Sequence, residues 1–424
     1  MQQVNQPDLM KSVWFINQYI TTPEIGGEGY RHYYIGKYLN DETSFRPLLI
    51  TGSFSHAPKR HNKFLGLYKY VDKGVPTIIL KTNKYKQSGG AGRIMNWFFF
   101  MLNLFVLPIL SKKKAPKPDV IVLSSLPILP VINLVFFKLI YPKAKLVFEI
   151  RDLWPLSAIE FGGYKKDNVL IRFIGLLEKW AYSNCDLIIS VIPRADLYIQ
   201  EVLGHSDFKY EWITNGYSLS EDNPHLNLKD IIEIDFKKED FKIGYAGTLV
   251  VANPLDTIIN VVGNYGNQCL KLYILGGGPE KERLLKLAEA YPNVIFIDKI
   301  PKGYVSQFLK KMDLLFMGKG GKASKVYQYG TSQLKTFDYF NAKKPIIQAL
   351  DSLENPVTYS GAGYVIEPNN KKQLEKKIEY FMGLEEAKLN EYGTKGYKYL
   401  IEKCTYESIN KRYYEVIVKL VGQP

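Results

Sequence analysis

Short apolar runs bounded by polar or turn-forming residues recur along the whole chain, at 12–18, 47–51, 119–124, 145–150, 186–190, 241–247, 270–275, 294–297, 313–317, 345–348 and 361–366. Runs that are apolar throughout, without alternation, fit strands covered on both faces, as parallel sheets require. Between them lie segments with helical spacing of apolar residues, at 30–39, 127–140, 170–184, 256–262, 281–290, 305–310, 375–382 and 406–421. Strand followed by helix, repeated, predicts an α/β protein. The restart of the pattern at 241–247 predicts two Rossmann-like, doubly wound domains facing a cleft. The polar stretch 221–240, EDNPHLNLKDIIEIDFKKED, is the expected linker between an N-terminal domain, 1–220, and a C-terminal domain, 241–402.

Three loops in this pattern carry candidate chemistry. The stretch 322–345, KASKVYQYGTSQLKTFDYFNAKKP, starts basic, turns at Gly330-Thr331-Ser332, and then spaces Leu334, Phe337, Asp338 and 340–342 as a helix does. Thr331 or Ser332 is the expected N-cap. Lys335 and Asp338, three apart, share a face near that N-terminus. Amides, hydroxyls and a lysine at a helix start suit a phosphate, and an acid one turn on can accept hydrogen bonds from sugar hydroxyls. The pattern therefore predicts a turn presented to a nucleotide diphosphate, although an ordinary capped surface helix has the same local signature. After the first strand, Gly26 and Gly27 allow a ligand close to the backbone and offer amides to an oxyanion; a tight turn is the alternative. Arg151-Asp152-Leu153-Trp154-Pro155 follows the strand 145–150, and open α/β sheets bind ligands past the carboxyl ends of their strands.

The chain has 424 residues, too many for one core. Lys and Arg number 56 against 42 Asp and Glu, a formal charge of +14, which calls for an acidic partner: nucleic acid, an anionic membrane or a phosphorylated substrate. The excess is concentrated in 57–117. There Lys59, Arg60, Lys63, Lys69, Lys73, Lys81, Lys84, Lys86 and Arg93 face one acid, Asp72, before the apolar run NWFFFMLNLFVLPIL and Lys112 to Lys114. A basic patch beside an aromatic, leucine-rich helix reads as docking onto an anionic bilayer; a core helix between solvated loops is the alternative. The uncharged window 94–111 just reaches spanning length, but it carries Asn96, Asn103 and Pro108, so docking is preferred to spanning. Basic residues do not interleave with aromatics at any nucleic-acid motif spacing, so no nucleic-acid partner is expected. Three widely separated cysteines, Cys185, Cys269 and Cys404, argue against disulfides and zinc and fit a reducing compartment. The polar N-terminus lacks an apolar signal region. The expected location is cytoplasmic, peripheral at the inner face of the cell membrane.

Taken in order, these motifs resemble GT-B glycosyltransferases of the family 4 type, in the bacterial capsule and O-antigen subgroup related to fucosamine transferases. The residues that carry the resemblance are Ile25-Gly26-Gly27-Glu28, Asp119-Val120-Ile121, Arg151 to Pro155, Asn215-Gly216, Tyr245-Ala246-Gly247-Thr248-Leu249, Gly276-Gly277-Gly278-Pro279-Glu280, Ser332 with Lys335 and Asp338, and Lys344-Pro345. The resemblance implies a retaining transfer of a sugar from a nucleotide-sugar, UDP by default, to a glycan or polyprenyl-linked acceptor in surface polysaccharide synthesis. It implies no metal and no other cofactor. The C-terminal domain binds the donor: Gly247 and Thr248 lie in its first loop, Gly276, Gly278, Pro279 and Glu280 along base and ribose, Thr331, Ser332 and Lys335 at the diphosphate, and Asp338 where the family has a ribose-binding Glu. Gly26, Gly27 and Glu28 approach the phosphates or acceptor from the N-terminal domain, against which residues 403–424 pack. Some family features are replaced. Thr248 and Asn253 stand where an Arg and a Lys usually hold the diphosphate, Gly330 stands for the first acid of a paired-glutamate motif, and a customary histidine is missing around Arg151. The diphosphate charge then falls to Lys335, with Lys319, Lys322 or Lys325 as helpers. Asp152 is the candidate for positioning or deprotonating the acceptor, and Arg151 for holding a charged one. Two rivals remain: an inert, membrane-bound partner of a transferase, and a non-hydrolysing sugar-nucleotide epimerase. The epimerase needs a histidine and carboxylates together, whereas His32, His56, His61, His205 and His225 fall mostly in polar loops.

Overall fold

The computed structural model describes residues 10–26, 30–55, 60–86, 90–110, 114–219, 227–267, 269–319, 324–352 and 354–423. Gly27, Glu28, His56, Lys59, Lys112, Lys113, residues 221–226, His225 among them, and Lys322 lie outside the described residues. The chain forms two compact units, Met1–Thr214 with Tyr406–Pro424, and Asn215–Thr405.

The first unit is built on β1 (Ser12–Ile16), α1 (Arg31–Glu42), β2 (Arg46–Gly52), β3 (Phe54–Ser55), β4 (Arg60–His61), β5 (Tyr68–Val71), β6 (Thr77–Leu80), α2 (Ala91–Leu110), β7 (Val120–Ser124), α3 (Val131–Ile140), β8 (Lys145–Ile150), α4 (Leu156–Gly162), α5 (Val169–Asn184), β9 (Leu187–Ser190), α6 (Ala195–Leu203) and β10 (Tyr210–Trp212). Its eight-stranded sheet has the order β10-β9-β8-β7-β1-β2-β6-β5. All neighbours are parallel except β5, which is antiparallel to β6. Every residue of β1, β6, β7 and β9 is buried, so the unalternating runs reflect cover on both faces. From β1 the chain builds outward through β2 and β6, then returns to build β7 to β10 on the other side. The carboxyl ends of β1 and β7 therefore mark the point where the winding reverses, the usual ligand position of such sheets. Part of the basic stretch expected as a docking surface forms β4, β5 and β6, with Ile78, Ile79 and Leu80 of β6 filling the sheet beside β2. α2 keeps the apolar character expected of a docking helix. Its Asn96 donates to the Asn83 carbonyl and accepts from Gln18 Nε2, and Asn103 Nδ2 donates to the Lys81 carbonyl at 2.6 Å, so its polar residues tie one side of it to this unit.

The second unit contains β11 (Phe241–Ala246), α7 (Asp256–Gly263), β12 (Leu270–Leu275), α8 (Lys281–Ala288), β13 (Val294–Ile297), α9 (Lys302–Lys310), β14 (Leu314–Gly318), α10 (Ser324–Tyr327), α11 (Leu334–Asn341), β15 (Ile346–Ala349), α12 (Pro356–Ser360), β16 (Gly363–Ile366), α13 (Lys371–Met382) and α14 (Glu386–Tyr399). Six parallel strands take the order β13-β12-β11-β14-β15-β16. Here the winding reverses between β11 and β14. The expected linker is corrected. In 227–240, Leu228 is buried in this unit's core and Ile232, Ile234 and Phe236 pack on it, because an apolar alternation runs inside the polar composition. The division falls after Thr214 rather than Ser220, and the chain leaves the second unit after Thr405. The last helix, α15 (Tyr406–Val421), places Ile409, Tyr413, Val416 and Ile417 in the core of the first unit with Val13, Phe15 and Ile35.

Candidate functional site

In the second unit, the reversal point brings together the loops after β11, β12 and β14 and the start of α11. Three glycines make this possible. Gly247, Gly276 and Gly278 have φ of +156°, +150° and +151°, backbone that side chains disfavour. A Cβ on Gly276 would sit 2.0 Å from the Gly247 carbonyl oxygen, and one on Gly278 2.3 Å from that of Leu249. The loops nest through Leu249 N donating to Gly277 O (3.0 Å) and Glu280 N to Leu249 O (3.1 Å). α11 is pinned by Tyr339: its buried hydroxyl accepts from Ala246 N at 2.9 Å and donates to Phe316 O at 3.1 Å, so one side chain bridges β11 and β14.

That pin sets Lys335, the second residue of α11, over the end of β11. Its Nζ donates to Tyr245 Oη at 3.1 Å and lies 4.7 Å from the ring centroid, a cation–π contact. A Cβ on Gly247 would stand 3.1 Å from both Lys335 Nζ and Tyr245 Oη, so the lysine lies close over this backbone. Burial of the ammonium, with repulsion from Lys319, pulls the Lys335 pKa down to about 7. No carboxylate among the described residues offsets that shift. Tyr245 Oη in turn donates to the Thr248 carbonyl at 3.0 Å, where Asn253 Nδ2 also donates at 3.2 Å. Thr248 and Asn253 thus brace the loop from the positions of the absent basic pair.

The N-cap expectation is corrected. α11 begins at Leu334 after an extended Gln333 with no side-chain cap. Ser332 Oγ instead accepts from Asn215 N at 3.3 Å, and Asn215 Nδ2 donates to Ser332 O at 3.0 Å; Thr331 is buried. Asp338 is half-buried in the next turn. Glu280 precedes α8 and accepts from Arg283 Nε at 2.7 Å, while Arg283 also holds Asp256; Pro279 is exposed beside it. Gly247, Thr248, Gly276 and Lys335 therefore form one cluster, whereas Glu280 is engaged in an ion pair. Lys319 lies at the end of β14, its Nζ 5.2 Å from the Tyr327 ring, and Lys325 is exposed on α10.

The first unit has its own polar centre at the β1/β7 reversal point. Asn17 Nδ2 donates to Ser124 O and Leu126 O, both at 2.8 Å. Glu149 of β8 accepts from Arg31 Nε (3.1 Å), from Ser124 Oγ, and lies 2.7 Å from His32 Nε2. Arg31 also donates to the carbonyls of Thr214 and Ile213. Burial works against the Glu149 carboxylate, but Arg31 and His32 overrule it and hold its pKa well below the usual range. Burial holds His32 below its ordinary value despite Glu149. The placement of His32 in a polar loop is thus corrected: it is the second residue of α1, only 3% exposed, beside a Glu149 at 0%. A histidine–carboxylate pair does exist, with both side chains buried. One charged residue inside the apolar run KLVFEI was the readable signal for it.

Arg151 donates its backbone N–H to Ser125 Oγ at 3.1 Å, and burial lowers its guanidinium pKa. Asp152 accepts from Leu153 N (2.9 Å), Ser157 Oγ (2.6 Å) and Trp154 Nε1 (3.2 Å), so it organises its own turn. Gly26 has φ of +80° and its N–H donates to Thr22 O at 3.0 Å, a tight turn after β1. Among the described residues no group of His, Cys, Asp and Glu is placed to hold a metal ion.

The sequence matches no family model and no curated protein. The fold has full-length counterparts among solved structures. A sucrose-phosphate synthase from Thermosynechococcus elongatus has a TM-score of 0.69 at 12% identity, covering 97% of this chain and 99% of that one. HepE from Anabaena, solved in complex with UDP, has a TM-score of 0.65 at 12% identity, covering 97% and 100%. WaaG, a glycosyltransferase involved in lipopolysaccharide biosynthesis, has a TM-score of 0.60 at 13% identity, covering 96% and 99%. These neighbours are GT-B glycosyltransferases, and this chain has their fold: GT-B, with two Rossmann-like parallel-sheet units.

Proposed function

We propose that the protein is a glycosyltransferase that takes a sugar from a nucleotide-sugar, with UDP as the nucleotide, and transfers it with retention of anomeric configuration. The second unit binds the donor and the first the acceptor, a lipid-linked or saccharide acceptor of capsule or O-antigen type. The observation that carries this reading is Lys335. An ammonium held against Tyr245 and Gly247, beside the amide end of α11 and at the reversal point of a parallel sheet, is preorganised for a leaving diphosphate. Negative charge that develops on the phosphate is met by this lysine and the helix end, so the chemistry calls for no metal. The departing phosphate can take the acceptor proton, and Asp152 and Arg151 position the acceptor. HepE supports the choice of nucleotide, since it was solved with UDP and with UDP-glucose. The exposed aromatic side chains of α2 and the basic residues before it support a place at the inner face of the cell membrane.

The test is a screen of sugar nucleotides for binding and slow donor hydrolysis, repeated with Lys335→Ala. Binding of a UDP-sugar that weakens in the variant supports the reading. No binding at millimolar donor leaves the inert-partner reading in possession.

A further inference from the structure

The first unit contains a cavity of about 380 Å³, lined by residues of α2, α4 and α5. That volume is at the low end for small-molecule sites, roughly 300–1,000 Å³. Ile94, Trp97 and Phe161 give it apolar walls, and Trp97 meets Trp154 edge to face at 5.8 Å. Two charged groups line it. Asp152 is fixed by its three local donors, and the Arg93 guanidinium lies 5.1 Å from the Trp97 ring centroid. An apolar hollow with one cation fits an amphiphile with an anionic head better than a sugar, which needs many polar partners.

The surroundings point the same way. α2 is apolar on both sides. Ile94, Trp97 and Met101 face inward, while Met95, Phe98, Phe99 and Leu102 are each more than 40% exposed. Across the cavity, α5 exposes Val169 and Phe173. These exposed side chains put apolar surface on the two helices that also wall the cavity. The basic residues of 60–93 complement an anionic head.

We infer that this cavity receives the first hydrocarbon segment of an isoprenoid-phosphate-linked saccharide acceptor, with Arg93 at the lipid phosphate and Asp152 toward the accepting sugar hydroxyl. The inference rests on the reading of the first unit as the acceptor unit, and it selects the lipid-linked acceptor over the free saccharide.

Trp97 and Trp154 supply the probe. Intrinsic fluorescence of the full chain is titrated with farnesyl phosphate, with farnesol, and with phosphatidylglycerol vesicles, and UDP binding is measured in parallel. The expected result is saturable quenching by farnesyl phosphate that falls at least about tenfold in affinity in Arg93→Gln, the scale of a lost charge-assisted contact. Ala158→Leu, which fills the cavity, is expected to abolish the quenching while UDP binding by the second unit persists and an unchanged urea-unfolding profile of the full chain shows that the first unit is folded. Binding of UDP without binding of farnesyl phosphate overturns the inference and leaves the transferase reading standing. Farnesol or the vesicles quenching as strongly as farnesyl phosphate overturns it too. Farnesyl phosphate binding without UDP binding sinks the donor reading and not this one.

Discussion

Lys335 is a buried ammonium awaiting an anion, and that makes donor binding depend on pH in a defined direction. Its pKa is held at about 7 in the free protein, against an ordinary 10.5. A diphosphate beside it removes the reason for the shift and restores the charged form. At pH 7 and above, part of the binding free energy then goes into protonating the lysine. Affinity is expected to fall about tenfold per pH unit well above 7, near 1.4 kcal/mol per unit, and about 50-fold between pH 7 and 9. The terminal phosphate does not mask this trend, because a phosphate monoester's second pKa is about 6. Isothermal titration with UDP at pH 7, 8 and 9, in buffers of different ionisation enthalpy, reads both the affinity and the proton taken up, which approaches about one at pH 8. The same depressed pKa has a stability consequence. Between pH 7 and 10.5 the unfolded chain binds more protons at this site than the folded one, so stability rises with pH through that window; the penalty is complete below pH 7. Discounted for the solvent that reaches the side chain, it amounts to about 2–3 kcal/mol. Lys335→Met should therefore bind UDP weakly with a flat pH profile and unfold later than the parent at pH 6, with no difference above 10.5. Affinity in the parent that does not change with pH, or a slope that survives in Lys335→Met, refutes the argument.

Other consequences can be measured independently. Glu149→Gln strips Arg31 and His32 of a buried partner and should lower stability by about 3–5 kcal/mol in urea unfolding; a loss under 1 kcal/mol would mean that the network carries little. Because His32 resists protonation in the fold, its contribution to stability declines as pH falls below 6.5, visible as an acid-side drop in Tm. Gly276→Ala forces a Cβ against the Gly247 carbonyl and should destabilise by more than about 1 kcal/mol while abolishing UDP binding, whereas Gly277→Ala, with nothing within 4 Å, should leave both nearly unchanged. Equal effects of the two would contradict the nesting of these loops. Replacing Phe98 and Phe99 together by Ser should reduce cosedimentation with anionic vesicles and spare UDP binding; unchanged sedimentation removes α2 from the membrane contact.

The sheets were legible in the sequence because the central strands are largely buried on both faces, so their runs are mostly apolar without alternation. Helix α15 was legible for the same reason of periodicity, with Ile409, Tyr413 and Val416 on one face. The contacts that make the sites were not. Lys335 and Asp338 announce a phosphate-like turn, but Tyr245, which positions the lysine, is ninety residues away. Glu149 and His32 are separated by 117 residues, and nothing local to either names the other. The apparent linker misled because its composition is polar while every second residue, Ile232, Ile234 and Phe236, packs half-buried against the core. The hydroxyls of Thr331 and Ser332 look like caps to a local rule, but Asn215 had already claimed Ser332 from outside the window.

The assignment of α15 to the first unit bears on how the chain is made. The second unit is a single continuous segment, Asn215–Thr405, and can close as soon as it has left the ribosome. The first unit cannot, although its strands emerge earlier, because Ile409, Tyr413, Val416 and Ile417 belong to its core and are translated after the whole second unit. Until then the partners of those side chains, Val13, Phe15 and Ile35 among them, lack their cover. A chain that ended at Thr405 and had left the ribosome would therefore carry one finished unit and one whose core is still uncovered.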